Sequence, residues 1–267
     1  MERPPAPGWA KAFLTFALVL SVTPALLILV GAVGTKLGLW SWTFGFAAIL
    51  VRGPFGVGWA PALTIAAIAV ALVGVIISFW TGSWRRSLAA LLISLTTMGA
   101  FIVIAGKARQ APPIHDVATD WSEPLMFSNE TIVRRGAGAN PVEADPVVPE
   151  DAPALGGQRI ADINARTCPQ ARSILTTKAP GEAYDAVKAA MRANRIAVTT
   201  EKPLQGRIEG VATSFWYGFK DDVVVRIRSE GTGSRIDIRS VSRVGMSDLG
   251  QNCERITRLA AALQGSR

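Results

Sequence analysis

The chain has 267 residues, 28 Lys/Arg against 20 Asp/Glu for a net charge of +8, one histidine and two cysteines. Residues 1–110 carry eight Lys/Arg and one acid (8 − 1 = +7), and residues 111–267 carry twenty and nineteen (20 − 19 = +1), so the basic excess does not mark a nucleic-acid surface. It flanks apolar sequence, where it sets membrane topology and meets lipid headgroups. One histidine and two cysteines 85 residues apart cannot supply a zinc cluster, and no metal or cofactor is implied.

Between Ala12 and Gly106 only Lys36, Arg52, Arg85 and Arg86 are charged. The charge-free runs Ala12–Thr35, Gly53–Trp84 and Ser87–Gly106 contain 24, 32 and 20 residues, and a helix needs roughly 20 to cross the hydrocarbon. Three spans are expected, at about 12–35, 59–80 and 87–106. The first run is too long for the apolar core of a cleaved signal peptide. Pro24 should kink the first span, with neighbouring helices or the Ser21 and Thr23 hydroxyls satisfying the freed carbonyl. Leu37–Val51 is short for a crossing and carries Trp40, Trp42, Phe44 and Phe46, so it reads as interfacial; were it a fourth span, the orientation below would invert. Trp9, Trp40, Trp42, Trp59, Trp80 and Trp84 all fall near span ends, the level indole prefers.

The positive-inside count is balanced: Arg3, Lys11, Arg85 and Arg86 against Lys36, Arg52, Lys107 and Arg109. The Arg85-Arg86 pair in a very short turn breaks the tie, placing that turn and the N-terminus in the cytoplasm. Three spans then put the C-terminal part outside, in the periplasm of a Gram-negative inner membrane.

Residues 111–177 are rich in proline (Pro112, Pro113, Pro124, Pro141, Pro146, Pro149, Pro153) and weakly periodic, which predicts an extended linker partly packed on a following domain at 178–267. There, Glu182–Ala193 has helical spacing behind Pro180. Ile196–Thr200, Arg207–Thr213, Asp222–Arg228 and Arg235–Val241 alternate as strands, with Ile208/Gly210/Ala212, Val223/Val225/Ile227 and Ile236/Ile238 on the core face. A last helix with Ser247 as N-cap runs to about Leu263. The expected fold is three transmembrane helices followed by a small α+β domain: a four-stranded antiparallel sheet and two flanking helices.

Four features bear on function. The outer strand face carries Arg226, Arg239 and Arg243 among other charges. Such guanidiniums suit an acidic group, or else they form cross-strand pairs with Glu209 and Asp237. Phe215, Trp216 and Tyr217, with Lys220 close behind, form an aromatic turn suited to lipid or ligand contact, or to closing the core. His115-Asp116 with Asp120, or Asp221/Asp222, could serve an envelope hydrolase or transferase, though no nucleophile motif accompanies them and no catalytic residue is assigned. Cys168 and Cys253 are either a disulfide or inert buried thiols. The leading expectation is a periplasmic domain that binds an envelope lipid, polymer or protein partner at the lipid bilayer.

Several segments resemble a known family: Pro112-Pro113-Ile114-His115-Asp116-Val117-Ala118-Thr119-Asp120, Gly218 to Arg226, and Ser234 to Gly245 continuing through Ser247-Asp248-Leu249-Gly250. Over roughly residues 111–264 the chain is similar to the domain-of-unknown-function 1499 family of bacterial envelopes and plastids. The resemblance implies the fold and an envelope location and supplies no catalytic residue. The chain departs from the family pattern at Cys168-Pro169, where Tyr-Pro is usual, and at Cys253, where a small residue is common; two departures to cysteine favour a bridge.

Overall fold

A computed structural model of the chain describes residues 6–53, 56–152 and 155–265; Arg3 and Pro153 lie outside the described residues. It divides into two units, Met1–Ala108 with Phe215–Gly218, and Arg109–Ser214 with Phe219–Arg267.

The first unit holds three helices long and apolar enough to cross a membrane: α1 (Gly8–Lys36), α2 (Trp59–Thr81) and α3 (Trp84–Gln110). Their packed faces are small. Ala10, Ala17 and Ser21 of α1, Ala67, Ala71 and Gly74 of α2, and Ser87 and Ala90 of α3 are buried, while Leu26, Ile65, Leu92 and Ile102 are exposed. Lipid tails are as apolar as leucine, so helix association rests on close backbone approach and hydroxyl hydrogen bonds such as Ser78 Oγ to Ser87 Oγ at 2.8 Å. The hydroxyls beside Pro24 bond the Leu18 and Val19 carbonyls. Neither reaches Leu20, whose carbonyl the proline frees, because each closes its own i−3 or i−4 contact.

Thr43–Val51 forms a nine-residue π-helix, too short to cross the bilayer. It packs on α1 where side chains are missing: a Cβ on Gly31 would fall on the Ile49 side chain, and one on Gly45 on the Thr35 hydroxyl. Trp40 Nε1 donates to the Gly31 carbonyl at 3.2 Å, fixing the indole there.

The second unit is built on an antiparallel sheet of order β1-β6-β5-β4-β3, from β1 (Asp116–Ala118), β3 (Ile196–Lys202), β4 (Arg207–Thr213), β5 (Lys220–Glu230) and β6 (Gly233–Ser242), with β2 (Ile174–Thr176) also on β6. The expected four strands are six, because two three-residue pieces of the proline-rich region share the outer edge of β6: β1 opposite 239–241 and β2 opposite 234–236. Strands this short carry no readable alternation. The four long strands alternate as expected, with Ile208 opposite Val225 and Val225 opposite Ile238. That face joins Ala183, Val187 and Met191 of α6 (Pro180–Ala193), Ile256 and Leu259 of α7 (Gln251–Gly265), and Ile160 and Ile163 of α5 (Ile160–Thr167) in one core. The last helix starts at Gln251, later than a Ser247 cap implies. Leu249 and Gly250 take positive φ, and the Asp248 carboxylate accepts from Gly250 N and Asn252 N instead.

The opposite sheet face is covered by residues 119–145, where a linker is expected from composition. Leu125 and Phe127 pack on Val224 and Val241. The short helix α4 (Asn129–Arg135) begins with Ser128 accepting from Thr131 N.

Candidate functional site

The covered polar face carries a dense array of paired charge. Strand alternation turns Arg207 and Glu209 of β4, Asp222 and Arg226 of β5, and Asp237 and Arg239 of β6 to this side. Arg239, with no exposed surface, forms a two-pronged pair with Asp116 (Nε–Oδ1 3.0 Å, Nη2–Oδ2 2.6 Å), donates to the Leu125 and Glu143 carbonyls, and lies 5.0 Å from the Trp121 ring centre. Arg243 and Arg135 both grip Asp222, at 2.7 and 2.6 Å. Arg226, Arg228 and Arg235 converge on Asp237, which also accepts from Ser173. Glu209 accepts from Ser128, Thr131 and Arg207.

The three arginines expected to receive an acidic ligand are thus held by the chain's own carboxylates. Burial acts to raise the Glu209 and Asp237 carboxyls, but hydrogen bonds outweigh it: from Thr131, Ser128 and Arg207 on Glu209, and from Ser173, Arg226 and Arg235 on Asp237. Both stay below the ordinary carboxylate range.

The acids considered for catalysis go to separate partners. Asp116 takes Arg239, Asp120 takes Arg235 and the Ser122 hydroxyl and amide, Asp221 takes Arg255 of α7, and Asp222 takes Arg135 and Arg243. Asp221 and Asp222 are consecutive strand residues facing opposite sides of the sheet, so they do not form a carboxylate pair. Burial lowers the His115 pKa, opposed by Asp116 and by a hydrogen bond to the Met246 backbone. Among the described residues no group of three His, Cys, Asp or Glu could hold a metal ion.

The aromatic turn is different: Phe215 and Trp216 are presented, while Tyr217 is half-buried. Phe215 and Trp216 are 70% and 62% exposed, their rings edge to face at 5.1 Å. Ser214 N donates to the Phe219 carbonyl at 2.8 Å and Phe219 N to Ser214 Oγ at 2.9 Å, closing a turn in which Gly218 supplies φ +70°. Within the first unit, Lys36 Nζ donates to the Phe215 carbonyl at 2.7 Å and stands 4.6 Å from that ring's centre, and Phe46 meets Tyr217 edge to face at 5.1 Å. Burial pushes the Tyr217 hydroxyl pKa up. Lys220, first residue of β5, is exposed. Lys36 was not singled out from sequence, because it is 179 residues from Phe215 and only the fold joins them. Cys168 and Cys253 form a disulfide that ties α7 to the end of α5.

A family model described as "Protein of unknown function (DUF1499)" matches residues 116–263. The chain belongs to the DUF1499 family. The DUF1499 region opens at β1 and ends within α7, so the disulfide, the paired polar face and the aromatic turn all fall inside it, and the three apolar helices precede it. No curated protein matches the chain.

Proposed function

We propose that this membrane-anchored DUF1499 protein presents its α+β domain on the outer, oxidising side of a bacterial inner membrane and binds lipid there through the aromatic turn, without catalysing a reaction. The observation that carries this reading is the exposed Phe215–Trp216 ring pair, with Phe215 held by Lys36, the last residue of a helix long and apolar enough to span. Indole and phenyl rings beside an ammonium group suit the headgroup layer, where rings take up apolar surface and the cation meets phosphate. The disulfide supports the outer face, since such bridges persist in oxidising compartments and are rare in the cytosol. Arg226, Arg239 and Arg243 have no part in the contact; their role is to hold residues 119–145 on the sheet.

The test is tryptophan quenching by headgroup-level spin-labelled lipid in proteoliposomes of the full chain. Wild type is expected to lose more emission than Trp216→Phe, while thermal melting of the two stays within about 0.5 kcal/mol. Equal quenching removes the lipid contact, and unfolding of the variant makes Trp216 a core residue.

A further inference from the structure

Arg86, on the first turn of α3, is fixed to α1. Its Nη1 donates to Thr15 Oγ1 at 3.1 Å across 71 residues of sequence, and that hydroxyl donates to the Lys11 carbonyl at 2.8 Å. Lys11 and Thr15 are one turn apart on the same side of α1. Lys11, Thr15, Arg85 and Arg86 are all exposed. A cationic corner thus forms between two helices of one unit, and only one N–H group of the Arg86 fork is taken up by Thr15, leaving the rest to meet a ligand.

Two observations indicate the occupant. The first is charge. No Asp or Glu occurs between Glu2 and Asp116, so no carboxylate among the described residues of this unit can neutralise Lys11, Arg85 or Arg86. A guanidinium beside an ammonium suits phosphate. The second is level. From Thr15 to Lys36, α1 rises about 32 Å at roughly 1.5 Å per residue, and the hydrocarbon core is about 30 Å thick. A spanning α1 that holds Lys36 in one headgroup layer therefore holds Thr15 and Arg86 at the other. Trp9, Trp80 and Trp84 gather at this same end of the helices, the level indole prefers. Toward the middle of α1, Val19 and Val22 continue the Lys11–Thr15 line and are exposed, a rail for an acyl chain.

We propose that this corner binds an anionic phospholipid, its phosphate at Arg86 and Lys11 and one acyl chain along Val19 and Val22. Basic pockets between transmembrane helices take such headgroups. Arg85, next in sequence, disfavours the ammonium of a zwitterionic headgroup. The inference goes beyond the aromatic-turn contact, which lies at the other end of α1, and needs only that α1 and α3 span, in either orientation.

The test is native mass spectrometry of the full-length protein released from detergent micelles supplemented with phosphatidylglycerol or phosphatidylcholine. Wild type is expected to retain phosphatidylglycerol at a roughly tenfold lower lipid concentration. Lys11→Gln with Arg86→Gln should erase that preference. Arg52→Gln with Lys107→Gln removes the same charge elsewhere in the unit and should keep it. Equal retention of the two lipids by wild type overturns the proposal, and so does an equal loss in the two double variants, which traces the preference to net charge alone. Displacement of the lipid by millimolar inorganic phosphate makes the corner a site for a free anion and overturns the lipid assignment. If the Lys11 and Arg86 double variant does not fold, Thr15→Val, which releases the guanidinium from α1, replaces it, and an undiminished preference overturns the proposal.

Discussion

Replacing Asp116 with Asn removes the charge facing Arg239 and leaves a guanidinium with no exposed surface. The guanidinium keeps the Leu125 and Glu143 carbonyls and the Trp121 ring, which bear no full charge. Breaking one side of a buried ion pair costs about 3–5 kcal/mol, because the remaining charge is desolvated without compensation. Asn retains one acceptor oxygen, which puts its cost near the lower limit, and Ala lies near the upper. At about 2–4 °C per kcal/mol for a domain of this size, Asp116→Asn should melt roughly 6–12 °C below wild type, read by near-ultraviolet circular dichroism of the full chain in detergent. Asp116→Leu combined with Arg239→Met should recover most of the loss, since a packed apolar pair is often neutral or stabilising at such sites. A loss under about 1 kcal/mol, the value of an exposed pair, would refute the claim that residues 119–145 seal this face from water.

Three further outcomes follow from the same geometry. Cys253→Ser opens a cross-link spanning 85 residues and should cost about 2–5 kcal/mol, matched by wild type in reductant; an unchanged melting temperature would mean the bridge does not form. Glu209, Asp237 and Asp120 are held below the usual carboxylate range, so the unfolded chain binds more protons there. Their contribution is complete above about pH 5 and is lost as pH falls through the folded values, so Glu209→Gln should show a shallower acid decline than wild type. Burial depresses His115, so its protonation opposes folding below about pH 6.5. His115→Gln should flatten the melting-temperature slope just under that pH, and an unaltered slope would show the imidazole to be solvated.

The spans were legible because they depend on local composition, and the four long strands because a period of two survives any context. What covers the polar face was not. Alternation shows that Arg239 points away from Ile238, but its partner Asp116 is 123 residues distant, and no local pattern carries that pairing. The proline-rich region looked like a linker because β1, β2 and α4 are too short to repeat, though the Ser128 cap and the apolar Leu125 and Phe127 were visible in it. The aromatic turn was found from its composition alone. Its exposure, and the Lys36 ammonium against Phe215, needed the fold.

The account rests on the α+β domain facing an oxidising compartment across three spans. Paired C-terminal fusions to alkaline phosphatase and to a green fluorescent protein that matures only in the cytosol measure this directly in intact bacteria. Active phosphatase with a dark fluorescent fusion is the predicted result, and a bright fluorescent fusion with inactive phosphatase would contradict it.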